Sequence, residues 1–167
     1  MLKKELEPAV ADCMASGVYV MGENVAEFEK EAAAYIGVKN AVATGSGTDA
    51  LVISLRACGV KEGDEVITTP FTFFATAEAI AAVGAVPVFA DILEDSLDID
   101  PEKLEAKITP KTKAILPVHI FGYPADMDAV NAVAKAHGLY VIEDACQAMG
   151  SGYKGRKSGA LSDMGCF

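Results

Sequence analysis

The feature that most constrains this chain is an alternation between two kinds of apolar segment. Residues 65–69, 86–90, 112–118 and 139–143 are short and each carries an apolar run, with polar residues mainly at its ends. Between and before them run longer stretches, such as 48–58, 74–83 and 126–137, whose apolar residues recur every three or four positions. Short continuous runs suit strands covered on both faces, and the 3.6-residue period suits helices that cover them. Strands that alternate with helices need crossover connections. The pattern therefore predicts a three-layer α/β fold: a mostly parallel sheet with helices on both faces. At 167 residues and 51% hydrophobic content the chain is long enough for one domain with a substantial core.

The remaining segments are read in the same way. Residues 2–15 predict a helix that stops at Ser16-Gly17, and 24–36 a second one. For the second, Asn24 is a candidate cap, Glu27 has the capping-box offset, and Gly37 suits a left-handed stop. Residues 40–44 read as a short strand and Gly45-Ser46-Gly47-Thr48 as a turn. Asp100-Pro101 is an N-cap followed by an N1 proline, which predicts a helix to about Lys107. The acidic stretch 94–100 reads as a solvated loop, 150–156 as turns, and 163–167 as the middle of a strand.

Composition narrows the partners. There are 14 basic and 24 acidic residues, a net charge of −10, which argues against nucleic acid or an anionic membrane as the main partner. A phosphate site remains open, because backbone N–H groups at a helix start hold phosphate without a lysine or arginine. Cys13, Cys58, Cys146 and Cys166 show no paired or zinc-like spacing, which suggests reduced thiols and a cytoplasmic setting. No secretory h-region opens the chain and no apolar run reaches membrane-spanning length.

Ligands of parallel α/β sheets bind at the carboxyl ends of the strands, so the residues there carry the functional reading. Gly45-Ser46-Gly47-Thr48-Asp49-Ala50 matches a dinucleotide fingerprint in form. The acids expected to hold a ribose, Asp64 and Glu65, stand before the next strand rather than at its far end. A monophosphate site is therefore the better reading than NAD, with a plain tight turn as the ligand-free alternative. Asp144 ends a strand, where it can pair with a cationic ligand nitrogen or simply cap a loop. Gln147 can hold a ligand hydroxyl or stand as a surface amide. Phe71, Phe73 and Phe74 can pack in a core or offer a wall for a flat ring. His119 is either a site residue or a core histidine. His137 near a helix C-terminus suits the dipole, and Lys154, Arg156 and Lys157 read as solvated surface. No metal constellation is visible.

Taken together and in order, several stretches resemble the DegT/StrS-type nucleotide-sugar aminotransferases. They are Val25-Ala26-Glu27-Phe28-Glu29, Ser46-Gly47-Thr48-Asp49-Ala50-Leu51, Gly63-Asp64-Glu65-Val66-Ile67-Thr68-Thr69-Pro70, Thr72-Phe73-Phe74-Ala75-Thr76, Gly122-Tyr123-Pro124-Ala125-Asp126-Met127 and Glu143-Asp144-Ala145-Cys146-Gln147-Ala148. The resemblance implies the pyridoxal-phosphate-binding large domain of the aspartate-aminotransferase type (fold type I). It implies that Gly47 and Thr48 bind the cofactor phosphate, Phe73 stacks on its ring, Asp144 pairs with the ring nitrogen, and Gln147 bonds the ring hydroxyl. It further implies a homodimer that moves an amino group, usually from glutamate, to a keto-sugar carried on a nucleoside diphosphate.

The chain departs from the family pattern at its end. Family members continue past Gly165-Cys166-Phe167 into Ser-Phe-x-x-x-Lys, whose lysine forms the Schiff base with the cofactor. Residues 1–167 are thus expected to be the N-terminal portion of the large domain, without its remainder or the small C-terminal domain, and inactive alone. A histidine in place of that lysine would mean a sugar dehydratase of the same family. The readings from other classes are a non-catalytic pyridoxal-phosphate- or sugar-nucleotide-binding or regulatory module and an NAD oxidoreductase.

Overall fold

Consecutive apolar residues in the middle of each central strand feed two different cores, which is why the apolar runs there are unbroken. In the computed structural model, which describes residues 2–167, the chain divides into two units, Met1–Ala43 and Thr44–Phe167.

The first unit holds α1 (Lys3–Ser16) and α2 (Glu23–Ile36). No residue of α1 is buried, whereas α2 buries Ala33 and Ile36. The Gly37 and Val38 N–H groups both bond the Ala33 carbonyl, so left-handed Gly37 ends α2 as expected. The expected Asn24 cap is not formed. The helix starts one residue earlier, with Gly22 at the cap position and no side-chain cap bond. Glu27 instead pairs with Lys30 at 2.5 Å. The expected strand at 40–44 is also absent. A strand needs a neighbour to satisfy its backbone groups, and none pairs with it among the described residues. The Ala43 N–H turns instead to the Glu29 carboxylate at 2.8 Å.

The second unit is the sheet. It contains α3 (Gly47–Ala57), β1 (Glu65–Thr68), α4 (Phe74–Ala82), β2 (Val86–Phe89), β3 (Thr112–Leu116), α5 (Met127–His137) and β4 (Tyr140–Asp144). A small hairpin of β5 (Gly152–Tyr153) and β6 (Arg156–Lys157) follows, then β7 (Met164–Cys166). The five-stranded sheet has the order β2-β1-β3-β4-β7 and every pairing in it is parallel. Val66, Leu116 and Ile142 join Leu51, Leu55, Ala79 and Ile80 in a core under α3 and α4. Their neighbours Ile67, Ile115 and Val141 join Met127, Val130 and Ala134 in a second core under α5. The three layers follow from this two-residue alternation.

Two local readings change. Residues 101–107 form two short 3₁₀ turns (Pro101–Lys103 and Glu105–Lys107) rather than one helix, although the Asp100 carboxylate does cap, accepting the Glu102 N–H at 3.0 Å. The acidic stretch is not wholly a solvated loop. Asp98 is 2% exposed and Asp100 is buried too, because Leu104 and Ile99 beside them anchor the segment in the second core.

The strand order also locates a crevice. From β1 the chain moves through α4 to β2 on one side, and from β3 it moves through α5 to β4 on the other. The order therefore reverses between β1 and β3, and a crevice at their carboxyl ends is where such sheets take ligands.

Candidate functional site

Three segments converge at that end of the sheet. The first is the start of α3. Ser46 caps the helix by accepting the Asp49 N–H at 3.1 Å, and its hydroxyl lies 3.0 Å from the Asp49 carboxylate. The Gly47 and Thr48 N–H groups and the Thr48 hydroxyl have no acceptor among the described residues. A helix start leaves such donors facing outward, where they favour an anion. Gly47 is tightly placed: a Cβ there would meet the Cys146 Sγ at 2.7 Å and the Phe167 carbonyl at 3.3 Å. Only glycine lets this turn approach the β4 end so closely.

The second segment is the end of β4. Asp144 is buried, and its Oδ2 accepts a 2.7 Å bond from the Thr76 hydroxyl. Its Oδ1 accepts the Cys146 N–H at 3.3 Å. A carboxylate has about four acceptor directions, so one remains open on each oxygen. Cys146 itself is exposed, yet burial of its sulfur and the neighbouring Asp144 charge push its thiol up to about 12. Burial likewise pushes Cys166 up to about 11. All four cysteines are free, and these two are poor nucleophiles.

The third segment is the turn after β3. Phe121 sits in the left-handed region at φ 53°, and its N–H donates to the Gln147 Oε1 at 2.8 Å. That bond fixes which end of the amide is which: the oxygen is taken, and the NH₂ group is left for another acceptor. Phe121 also meets Phe71 edge to face at 6.2 Å between ring centroids. Phe73, at the start of α4, is 71% exposed, and Phe74 is as open. They are not core residues here.

His119 belongs to the core rather than to the crevice. It is fully buried; its Nδ1 accepts the Ala125 N–H at 3.2 Å and its Nε2 lies 3.0 Å from Glu143. Glu143 is saturated: it also accepts the Gly159 and Leu161 N–H groups at 2.6 and 2.8 Å and the Ser162 hydroxyl at 2.9 Å. Burial alone would push its pKa up, but the bonds from His119, Gly159 and Leu161 outweigh it and hold the carboxyl below its ordinary value. Asp98 is the opposite case. Neither of its oxygens has a hydrogen-bond partner among the described residues, and burial pushes it up to about 6 against the nearby His119, Ser96 and Ile120 N–H.

The structure thus brings Gly47, Asp144 and Cys146 into one contiguous set; Thr48 follows Gly47 in the first turn of α3, Gln147 follows Cys146 and is held by Phe121, and Phe73 stands exposed just before α4. Thr76 was not visible as a site residue, since its partner is 68 positions away. The usable signal was its place in the first turn of α4, three residues after Phe73. Lys154 and Arg156 stay at the exposed surface, where Lys154 pairs with Asp128 and Arg156 with the Ala160 carbonyl. His137 lies in the last turn of α5, 3.5 Å from Glu105. No cluster of His, Cys, Asp or Glu could hold a metal among the described residues, and no described helix is long and apolar enough to cross a membrane.

Known proteins resemble this chain in sequence and fold. The DegT/DnrJ/EryC1/StrS aminotransferase family matches residues 1–167. The spore coat polysaccharide biosynthesis protein SpsC of Bacillus subtilis is 50% identical over all of this chain and 43% of its own length. A UDP-2-acetamido-2-deoxy-3-oxo-D-glucuronate aminotransferase of Pseudomonas aeruginosa is 46% identical over 99% of this chain and 46% of its own. The crystal structure of DesV from S. venezuelae superposes with a TM-score of 0.94 at 46% identity, over 95% of this chain and 43% of that one. The chain therefore spans less than half the length of these relatives. The structural neighbours are fold type I enzymes, and aminotransferases of this family depend on pyridoxal phosphate. The chain belongs to the DegT/DnrJ/EryC1/StrS aminotransferase family.

Proposed function

We propose that the whole protein is a pyridoxal-phosphate-dependent aminotransferase that takes an amino group from glutamate and gives it to a keto-sugar linked to a nucleoside diphosphate. In this reading residues 1–167 are the N-terminal portion of the cofactor-binding large domain of a cytoplasmic homodimer, and the chain alone does not turn over. One observation carries it. A buried carboxylate with open acceptor directions lies in one contiguous set with a helix start whose first two N–H groups have no acceptor among the described residues.

The donor set fits the cofactor. Gly47 and Thr48 offer N–H groups and a hydroxyl to the phosphate. Asp144 offers an acceptor to the ring nitrogen and favours its protonated form. The Gln147 NH₂ group, left over by the Phe121 bond, suits a ring oxygen that accepts. Phe73 offers an exposed aromatic face for stacking. When bound, pyridoxal phosphate supplies the electron-withdrawing ring and the aldehyde carbon through which an amino group is received and passed on. This chain's residues bind and orient that ring and hold the proton on its nitrogen. The exposed Phe73, Phe74, Phe121 and Tyr123 give the rim an apolar surface that further protein would cover.

The sugar-nucleotide part of the reading rests on relatives such as the Pseudomonas enzyme. The test is to purify the whole protein, record its visible absorption with pyridoxal phosphate, and supply glutamate with a panel of dTDP- and UDP-linked keto-sugars. The expected result is a cofactor spectrum, 2-oxoglutarate, and a sugar product in which NH₂ and H replace the keto oxygen. A cofactor spectrum with loss of water from the sugar, and no 2-oxoglutarate, would point to dehydration instead. Absence of the spectrum would reject the reading.

A further inference from the structure

We infer that Thr72 and Thr76 form a directional hydroxyl relay that positions the Asp144 carboxylate for a ring nitrogen; this rests on the functional reading above. Thr76 is fully buried in the first turn of α4, and its hydroxyl lies 2.7 Å from Asp144 Oδ2 and 2.7 Å from the Thr72 hydroxyl. A hydroxyl has one proton to give. An ionised carboxylate only accepts, so the Thr76 proton points at Asp144. The other contact must then run the opposite way, from Thr72 to Thr76. Two donors in series polarise one another, and the second bond is stronger for the first.

The relay controls one of the few things that hold this carboxylate. Its other donor is the Cys146 N–H on Oδ1, at 3.3 Å. The titratable groups that face Asp144 are the Cys146 thiol from the loop after β4 and the Cys166 thiol from β7. α4 presents Thr76 to it, and no Lys, Arg or His side chain lies within ion-pair distance of Asp144 among the described residues. Without Thr76 the Oδ2 atom loses its anchor and the carboxylate is freer to turn. Thr72 is half-buried, so the relay begins near the rim of the crevice and ends on the buried acid. Neither threonine needs to touch the cofactor: both act through Asp144.

The test uses the whole protein loaded with pyridoxal phosphate. Two quantities are read for wild type, T76V, T76S, T72V and T72V/T76V: the dissociation constant of the cofactor and the pH midpoint of its visible absorption. T76V should weaken binding by about tenfold and shift the midpoint, whereas T76S should restore both. T72V should act in the same direction by about threefold. In the T76V background T72V should change nothing, because its route to Asp144 is gone. Wild-type values for T76V, or an undiminished effect of T72V on top of it, overturn the relay. Should T76V fail to fold, T72V decides alone, since it alters a half-buried residue ahead of the helix. A wild-type protein that binds no pyridoxal phosphate overturns the functional reading and the relay with it. Normal wild-type binding with unchanged variants overturns the relay only.

Discussion

Glu143 and Asp144 are adjacent on β4, both buried, and opposite in use. Glu143 lies on the α5 side, where His119, Gly159, Leu161 and Ser162 fill its acceptor directions. Asp144 lies on the α4 side with two donors and room for more. The first carboxylate ties the loop 158–162 and the turn after β3 to the sheet. The second keeps acceptor capacity that the protein itself does not use. Burial alone therefore does not make an acid available to a ligand: Glu143 has its lone pairs filled, whereas Asp144 does not.

The comparison can be broken most directly at Glu143. E143Q puts an NH₂ group where donors converge, and it should cost about 3–5 kcal/mol of stability, read from thermal or denaturant unfolding. D144N retains an acceptor for Thr76 but sets its NH₂ against the single, longer Cys146 N–H bond, so it should cost only about 1–2 kcal/mol of stability, while weakening pyridoxal phosphate binding by about 100-fold. If D144N unfolds more readily than E143Q, the contrast between the two acids is wrong.

Asp98 sharpens the contrast as a buried acid with nothing attached. Its folded-state value of about 6 lies above the ordinary 3.8, so the folded protein holds a proton that the unfolded chain has lost. Stability from this group is present at low pH and falls as pH rises through about 4 to 6. D98N removes the charge and should gain about 1–2 kcal/mol at pH 7.5, with the gain fading by pH 4. Glu143 has the reverse sign: its stabilisation is present above its ordinary value of 4.5 and is lost as pH falls through its lower folded value. Melting curves of wild type and D98N across that range separate the two slopes.

The smallest expected effect concerns Gln147. Q147A should weaken the cofactor by about tenfold. Q147E keeps an acceptor for the Phe121 N–H but offers no donor, so it should bind no better than Q147A. Restored binding in Q147E would show that the amide orientation is not what matters.

Much of the fold was legible because it is set by local pattern. The apolar runs of β1, β3 and β4 and the period of α5 report two-sided burial directly. What failed was whatever depended on a distant partner. Residues 40–44 have strand-like composition, but composition cannot show whether a neighbour exists to pair with them. Asp98 looks like its solvated neighbours Glu94 and Asp95, and only the anchoring of Ile99 and Leu104 draws it inside. Gly47, Asp144 and Gln147 stood out because strand ends and helix starts are marked in sequence. Thr76 and Glu143 did not, since a hydroxyl in a helix or a glutamate in a strand acquires its meaning from residues 16 to 68 positions away.

The alternation along β4 has a consequence for how this chain can change over time. The saturated acid and the open one are neighbours, and their separation is a matter of odd and even positions. Loss or gain of one residue within 139–141 would flip both to the opposite face: a loss would put Asp144 in the Glu143 position, and a gain would put Glu143 in the Asp144 position. A change of two would preserve the sides while shifting the depth. A length change just before Ile142 should therefore keep both acids on their present faces only in even steps.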